Sequence, residues 1–442
     1  MIEWARATWN AWKGDRLLGL VIRNTGYLFS SSTLGTGLSM VQSIFAARLL
    51  GVFDFGVLDN ITQFSSTVNR LFSFRMGELV VRYISQYQAE GRPDRAAAVV
   101  KMAAMVEAVT SLLAFAILVI VAPWAALIFT KDARWTPLFI FYGVTILGNI
   151  MTETSTGVLQ VAREFRSQAA VNLGQAFLTA AIILTAYFTG GGIAAVVAAY
   201  LLGKMILGIG PMVLAWRSLE KLLGVEWYKA SLRLLPPWRE LAHFAVTTNL
   251  SATLTLLVRD SERLWVSFFL SPLEAGYYKV AMAFVTLLTT PITPFIATTY
   301  PELSRSITEK HWPQLRRLLS RVTIIAGGWT GAVALGLLVF GPWLIQLYGP
   351  EFLPAFPALL LLLLGYGTAN VLFWNRSLLL AFNRPGFPFR VMLWCGLIKV
   401  LLGFWVIPTF GFTGEAALLS AYFVVSVGLI ALRGIRLIPA QE

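Results

Sequence analysis

The chain has 442 residues, 57% of them hydrophobic and only 13% charged, with a mean hydropathy of +0.71. Soluble domains carry about 25% charged residues, so a water-soluble fold is excluded and the chain reads as an all-α polytopic membrane protein. One cysteine, Cys395, and two histidines, His243 and His311, exclude a disulfide framework and supply too few ligands for a His/Cys metal site. The net charge of +13 raises the question of a nucleic-acid partner, which the placement of the charges answers.

In chain order, residues 1–20 place Trp9 and Trp12 at helical spacing beside Arg6 and Lys13. That pattern predicts a cytoplasmic helix lying in the headgroup region. Twelve apolar spans follow, at about 24–47, 55–77, 98–122, 136–160, 167–188, 191–216, 242–269, 276–300, 320–346, 355–380, 387–407 and 412–432, each near the roughly 20 residues a bilayer core demands. The spans divide into an N-terminal six-helix bundle over 21–216, a cytoplasmic linker over 217–241 and a C-terminal six-helix bundle over 242–442. Span 8 carries Pro291, Pro294 and Pro301, each of which removes a backbone donor and favours a bend.

With the N-terminus inside, the cytoplasmic segments collect 24 Lys and Arg residues, whereas the opposite loops hold four: Arg48, Lys131, Arg134 and Lys279. This asymmetry predicts that both termini are cytoplasmic and accounts for the positive charge without nucleic acid. A shift of about 220 residues brings GVFDFGVLDN (51–60) onto SPLEAGYYKV (271–280), and nearly the same shift brings APWAALIF (122–129) onto GPWLIQLY (341–348). Six spans per repeat is an even number, so the two repeats are expected to run parallel, related by an axis along the membrane normal, around a central cleft.

The run ARLLGVFDFGVLDN (47–60), the run DSERLWVSFFLSPLEAGYYKVA (260–281) and the basic loop RYISQYQAEGRPDRA (82–96) resemble the oligosaccharide-lipid flippases of the multidrug/oligosaccharidyl-lipid/polysaccharide exporter superfamily. The resemblance implies alternating-access transport of an undecaprenyl-diphosphate-linked sugar repeat unit across the cytoplasmic (inner) membrane. It also implies a lipid-linked oligosaccharide and the bilayer as partners, and no enzymatic activity or cofactor. Two features depart from the family pattern: the charge density of span 7, and the polarity of span 2 with Asn60, Gln63, Asn69, Arg70 and Arg75.

Seven cations fall at membrane depth: Arg70, Arg75, Lys204, Arg259, Arg263, Arg376 and Lys399. A charge facing lipid there costs about 2.5–3.5 kcal/mol on an insertion scale, so these side chains face protein or water. In LLVRDSERLW (256–265) two readings stand side by side. Arg259 with Glu262, and Asp260 with Arg263, are i,i+3 neighbours that can neutralise one another on a helix. Alternatively, the guanidiniums face a wet cleft and grip a diphosphate or sugar carboxylate in bidentate fashion. Arg70 lies deep, whereas Arg75 is near enough to the cytoplasmic end to snorkel. Lys204, Arg376 and Lys399 each pair with an acid such as Glu153 or touch substrate. Glu107 and Glu153 are the candidates for coupling to an ion, H+ or Na+, because a partly buried carboxyl group can titrate near neutrality.

A multidrug and toxin extrusion transporter would share twelve spans and the parallel repeat, but organic cations call for an acidic, aromatic cavity. A membrane-embedded glycan polymerase or transferase needs a sizeable outer loop or a catalytic acid pair, and the outer loops here run to about ten residues or fewer. No nucleotide or nucleophile motif is present.

Overall fold

A chain that crosses lipid must satisfy its backbone hydrogen bonds within each segment, and helices do so. The computed structural model describes residues 16–73, 76–237, 239, 241 and 256–439, and every long element among them is helical. In order these are α1 (Arg16–Phe72), α2 (Met76–Ala89), α3 (Pro93–Ala125), α4 (Thr136–Gly143), α5 (Thr145–Gly148), α6 (Thr152–Val161), α7 (Phe165–Phe188) and α8 (Ile193–Leu223). There follow α9 (Glu262–Phe269), α10 (Pro272–Thr289), α11 (Thr293–Thr308), α12 (Trp312–Gln346), α13 (Ala355–Val371), α14 (Asn375–Ala381) and α15 (Gly386–Arg436). Eight segments among the described residues are long and apolar enough to cross a membrane, so the chain is a multi-pass membrane protein. The expected interfacial helix falls largely on residues 1–15, and the first part of span 7 on 242–255, outside the described residues.

Two helices are long enough for more than one crossing. At 1.5 Å per residue, the 57 residues of α1 and the 51 of α15 would be about 85 and 77 Å long if straight, against a bilayer of about 40–45 Å with its headgroups. Each is broken at a glycine with positive φ, Gly51 (71°) and Gly411 (67°), where a side chain would be strained. The proline-bearing stretch is also broken: α10 stops at Thr289, residues 290–292 form a turn around Pro291, and α11 resumes at Thr293.

The stretch after Gly51 packs against α10 in a reciprocal way. A Cβ added to Gly56 would lie 1.7 Å from the Pro272 carbonyl oxygen, and one added to Gly276 would lie 2.5 Å from the Val52 carbonyl oxygen. Positions 52 and 272, like 56 and 276, are 220 apart, the repeat offset read from the sequence. Each member of one pair therefore touches the counterpart of the other, the contact pattern that a two-fold relation produces. Phe55 extends this seam, its ring meeting Tyr348 at 6.5 Å and Phe352 at 5.8 Å.

Buried apolar side chains divide into three cores. The largest joins the two parts of the chain, with Phe55, Leu58, Phe139 and Leu201 in contact continuity with Ala275, Tyr278, Phe284, Tyr348 and Leu419. At the opposite end the cores separate. One contains only N-terminal elements and the linker (Leu79, Val100, Val158, Leu219, Trp227), and the other only C-terminal ones (Leu303, Leu319, Trp374, Leu378). Among the described residues the two parts of the chain thus share a core near the Gly51 end and keep separate cores away from it.

Candidate functional site

Beside the shared core, a charged seam joins the two parts of the chain. Its N-terminal contribution is the polar face of α1 after Gly51, where Asp59 and Gln63 are four apart and Arg70 lies two turns further on. Its C-terminal contribution starts with a π-helical turn, Leu256–Asp260, interrupted at Ser261 (φ −109°, ψ 9°) before α9 begins. Of the two local pairs open to LLVRDSERLW, Asp260 with Arg263 gives way to ion pairs with α1, whereas Arg259 with Glu262 falls on a side chain outside the described residues. Arg263 donates to Asp59 at 2.6 Å and to Gln63 Oε1 at 2.5 Å, while Asp260 accepts from Arg70 at 2.7 Å. Gln63 Nε2 completes the tie by donating to the Asp260 carbonyl oxygen at 2.5 Å.

Lys279 is a second correction. It does not occupy an outer loop but lies in α10, 3.5 Å from Asp59 and with its ammonium 4.0 Å above the Phe55 ring. Positions 59 and 279 are again 220 apart, so repeat-equivalent residues face each other with opposite charge. One turn along α1 and α9, Ser267 donates to Asn60 Oδ1 at 2.5 Å and Asn60 donates to the Phe129 carbonyl oxygen at 2.9 Å. Nearby, Lys131 donates to the Phe268 carbonyl oxygen at 2.9 Å, and burial pushes its ammonium below the ordinary lysine range.

Exposure differs sharply along the seam. The Asp59 side chain is 1% exposed, that of Arg263 30% and that of Arg70 54%. Lys204 of α8 is also accessible, although closely surrounded by protein, and stands within electrostatic reach of Arg70. The seam is therefore sealed at Asp59 and becomes a cation-lined, wet surface towards Arg70 and Lys204. Arg75 and the side chain of Arg259 lie outside the described residues.

The other candidates are dispersed. Lys399, on α15, is buried and pairs with Glu415 at 2.7 Å while donating to the Val258 carbonyl oxygen at 3.0 Å. It ties two crossings of the C-terminal half to the π-helical turn, and its partner is not Glu153. Glu262 is 3% exposed, with Lys399 and Glu415 as its electrostatic neighbours. Glu107 accepts from the backbone N–H groups of Glu153 (2.7 Å) and Thr154 (3.0 Å), capping the first turn of α6. Glu153 sits against Gly77, so these two acids do come together. Arg376, at the start of α14, is exposed and lines a separate cavity in the C-terminal half.

Sequence reasoning missed Lys279 and Glu415 as site residues and gave Asp59 and Gln63 no role. Glu415 was detectable as the one acid in an otherwise apolar span. Lys279 was passed over because it lies within one turn of the start of predicted span 8 and was counted with the outer loops.

The profile of a protein family described as "Polysaccharide biosynthesis protein" matches residues 21–307. The chain belongs to that family. It is 24% identical over 351 residues to "Inner membrane protein YghQ" of Escherichia coli strain K12, a match covering 78% of this chain and 97% of that protein. Two solved structures share the fold. One is the lipid II flippase MurJ in an inward closed conformation, with TM-score 0.70 and 14% identity over 92% of this chain and 87% of that one. The other is an inward-facing multidrug resistance MATE family transporter of the MOP superfamily, with TM-score 0.69 and 16% identity over 91% of this chain and 94% of that one. The expected resemblance is thereby established at the level of family and fold.

Proposed function

We propose that this protein flips an undecaprenyl-diphosphate-linked oligosaccharide from the inner to the outer leaflet of the cytoplasmic membrane by alternating access. The reading takes the chain as twelve crossings in two parallel six-helix repeats, residues 21–216 and 242–442, joined by the 217–241 linker, with both termini in the cytoplasm. In that orientation Gly51 and Ser271 lie at the outer face. The joined core and the Asp59 seam then close the cleft outside, and the separate cores leave it open to the cytoplasm, where cargo is made.

The observation that carries the proposal is the gradient of exposure along the cation row. Arg70 is half exposed yet held by a partly exposed carboxylate, Asp260, so a diphosphate entering from the cytoplasm can displace that carboxylate without leaving a buried guanidinium unpaired. Arg263 stands next in line, with Asp59 behind it, and Lys204 on α8 adds charge near Arg70. Arginine forks suit the two-oxygen faces of phosphates. Cargo that draws Arg263 off Asp59 weakens the outer seal at the same moment, which couples binding to opening. Accessible cations at membrane depth disfavour an exporter of organic cations. A coupling ion, H+ or Na+, would act on a buried carboxylate; Glu107 holds two amide protons, so its titration would be tied to the seating of α6.

The test is reconstitution in liposomes with a fluorescent lipid diphosphate-linked oligosaccharide, its outer-leaflet fraction read by an impermeant quencher. Wild type accelerates the exchange and Arg70→Ala abolishes it at unchanged protein content. Export of a cationic dye with no lipid exchange would overturn the proposal.

A further inference from the structure

A cavity of about 250 Å³ lies wholly within the C-terminal half, bounded by the α10–α11 break, the α13–α14 break and α15. Its polar lining includes Thr293, Asn370, Asn375, Arg376 and Ser426, and Tyr366, Phe373, Tyr422 and Phe423 supply aromatic faces. We propose that this cavity is a specificity pocket for one sugar residue bearing a carboxylate, separate from the cations that hold the diphosphate. The proposal rests on the flippase reading for the nature of the cargo.

Charge is the first argument. Of the C-terminal cations at membrane depth whose side chains are described, Arg263, Lys279 and Lys399 each have a carboxylate partner. Arg376 has none among the described residues, and no acid lines its cavity. A guanidinium at this depth is costly without compensation, and the cavity gives it water in the empty state and room for an anion in the filled one.

Hydrogen-bond bookkeeping supplies the second. Asn370 is buried and commits its Nδ2 to the Leu288 carbonyl oxygen (3.2 Å) and to Thr330 Oγ1 (2.9 Å). Asn375 is buried and commits its Nδ2 to the Leu372 carbonyl oxygen (2.7 Å), and Ser426 gives its proton to the Tyr422 carbonyl oxygen (2.6 Å). Asn370 and Ser426 have thereby spent their donors and Asn375 keeps one N–H, while all three side chains offer oxygen lone pairs. Acceptors of this kind suit ligand hydroxyls, which a fully ionised phosphate ester lacks. One anion-binding fork, several acceptors and aromatic faces for C–H-rich ring surfaces together describe a pyranose carboxylate.

Size is the third. The cavity of about 250 Å³ is close to the roughly 300 Å³ at which pockets for small ligands begin, so one sugar ring fits.

The test uses the full-length protein in lipid nanodiscs and measures affinity for three probes: farnesyl diphosphate, the same lipid carrying one neutral hexose, and the same lipid carrying one hexuronate. Wild type should bind the hexuronate form more tightly than the hexose form by about ten- to a hundredfold, the scale of a charge-assisted contact. Arg376→Gln should erase that preference while leaving farnesyl diphosphate affinity unchanged, and Arg376→Lys should keep part of it. Equal affinities of wild type for the two sugars, or an equal loss of all three probes in Arg376→Gln, would overturn the pocket. If farnesyl diphosphate fails to bind wild type, the flippase reading fails instead. Methyl hexuronide alone then decides the pocket: binding that Arg376→Gln removes supports it, and no binding overturns it.

Discussion

Replacing Gly56 by alanine adds a single methyl group to the tightest point of the seam between the two halves. The new Cβ would lie 1.7 Å from the Pro272 carbonyl oxygen, 2.7 Å from its carbon and 3.1 Å from the Gly276 nitrogen. All three are backbone atoms, so no side chain can swing aside. Restoring an ordinary contact of about 3.5 Å requires α1 and α10 to part by roughly 1.8 Å. That separation also stretches the Asp59–Lys279 contact, now 3.5 Å, and loosens Phe55 against Phe352. Overpacking of this kind costs about 1–3 kcal/mol, and backbone against backbone puts Gly56→Ala at the upper end. Gly276→Ala, with its nearest approach at 2.5 Å, should cost less. Gly428→Ala is the control, since nothing lies within 4 Å of its added Cβ and alanine favours a helix interior by up to about 1 kcal/mol. Thermal unfolding of the purified protein should rank Gly428→Ala at or above wild type, then Gly276→Ala, then Gly56→Ala. With Cys395→Ser as background and Ala275→Cys as a reporter in the buried seam, an impermeant maleimide should label Gly56→Ala from outside and spare the parent. A Gly56→Ala protein with wild-type unfolding and a protected reporter would refute the seam as the closed outer gate.

Lys399→Met strands the Glu415 carboxylate, whose side chain is 2% exposed, and should cost about 3–5 kcal/mol; adding Glu415→Leu should recover most of it, as read by thermal unfolding. A silent single substitution would contradict the buried pair. Asp59→Asn should destabilise the protein far more than Arg70→Ala, because the first leaves two cations facing a 1%-exposed position, whereas the second removes a pair of the exposed sort worth up to about 1 kcal/mol. Equal losses of stability would argue against the exposure gradient. Glu107→Leu removes both cap acceptors of α6 and should cost about 1–3 kcal/mol, with faster hydrogen exchange at Glu153 and Thr154; unchanged exchange there would discard the capping role.

The sequence by itself determined the class of molecule. Apolar run length and low charge follow directly from the energetics of lipid, so the helical, multi-pass character was legible without coordinates. The 220-residue offset was legible too, and it gained physical meaning once Gly56 and Gly276, and Asp59 and Lys279, met across the seam. What only the tertiary structure decided was partner choice. Within LLVRDSERLW the charges could satisfy one another by helical spacing alone. For Asp260 and Arg263 the approach of α1 supplied Arg70 and Asp59 as partners instead. Lys399 likewise took Glu415, sixteen residues away across the Gly411 bend, rather than Glu153. Spacing along a chain fixes neighbours one helical turn apart, whereas a buried charge takes whichever opposite charge the packing brings within about 4 Å, and that packing is a property of the whole bundle.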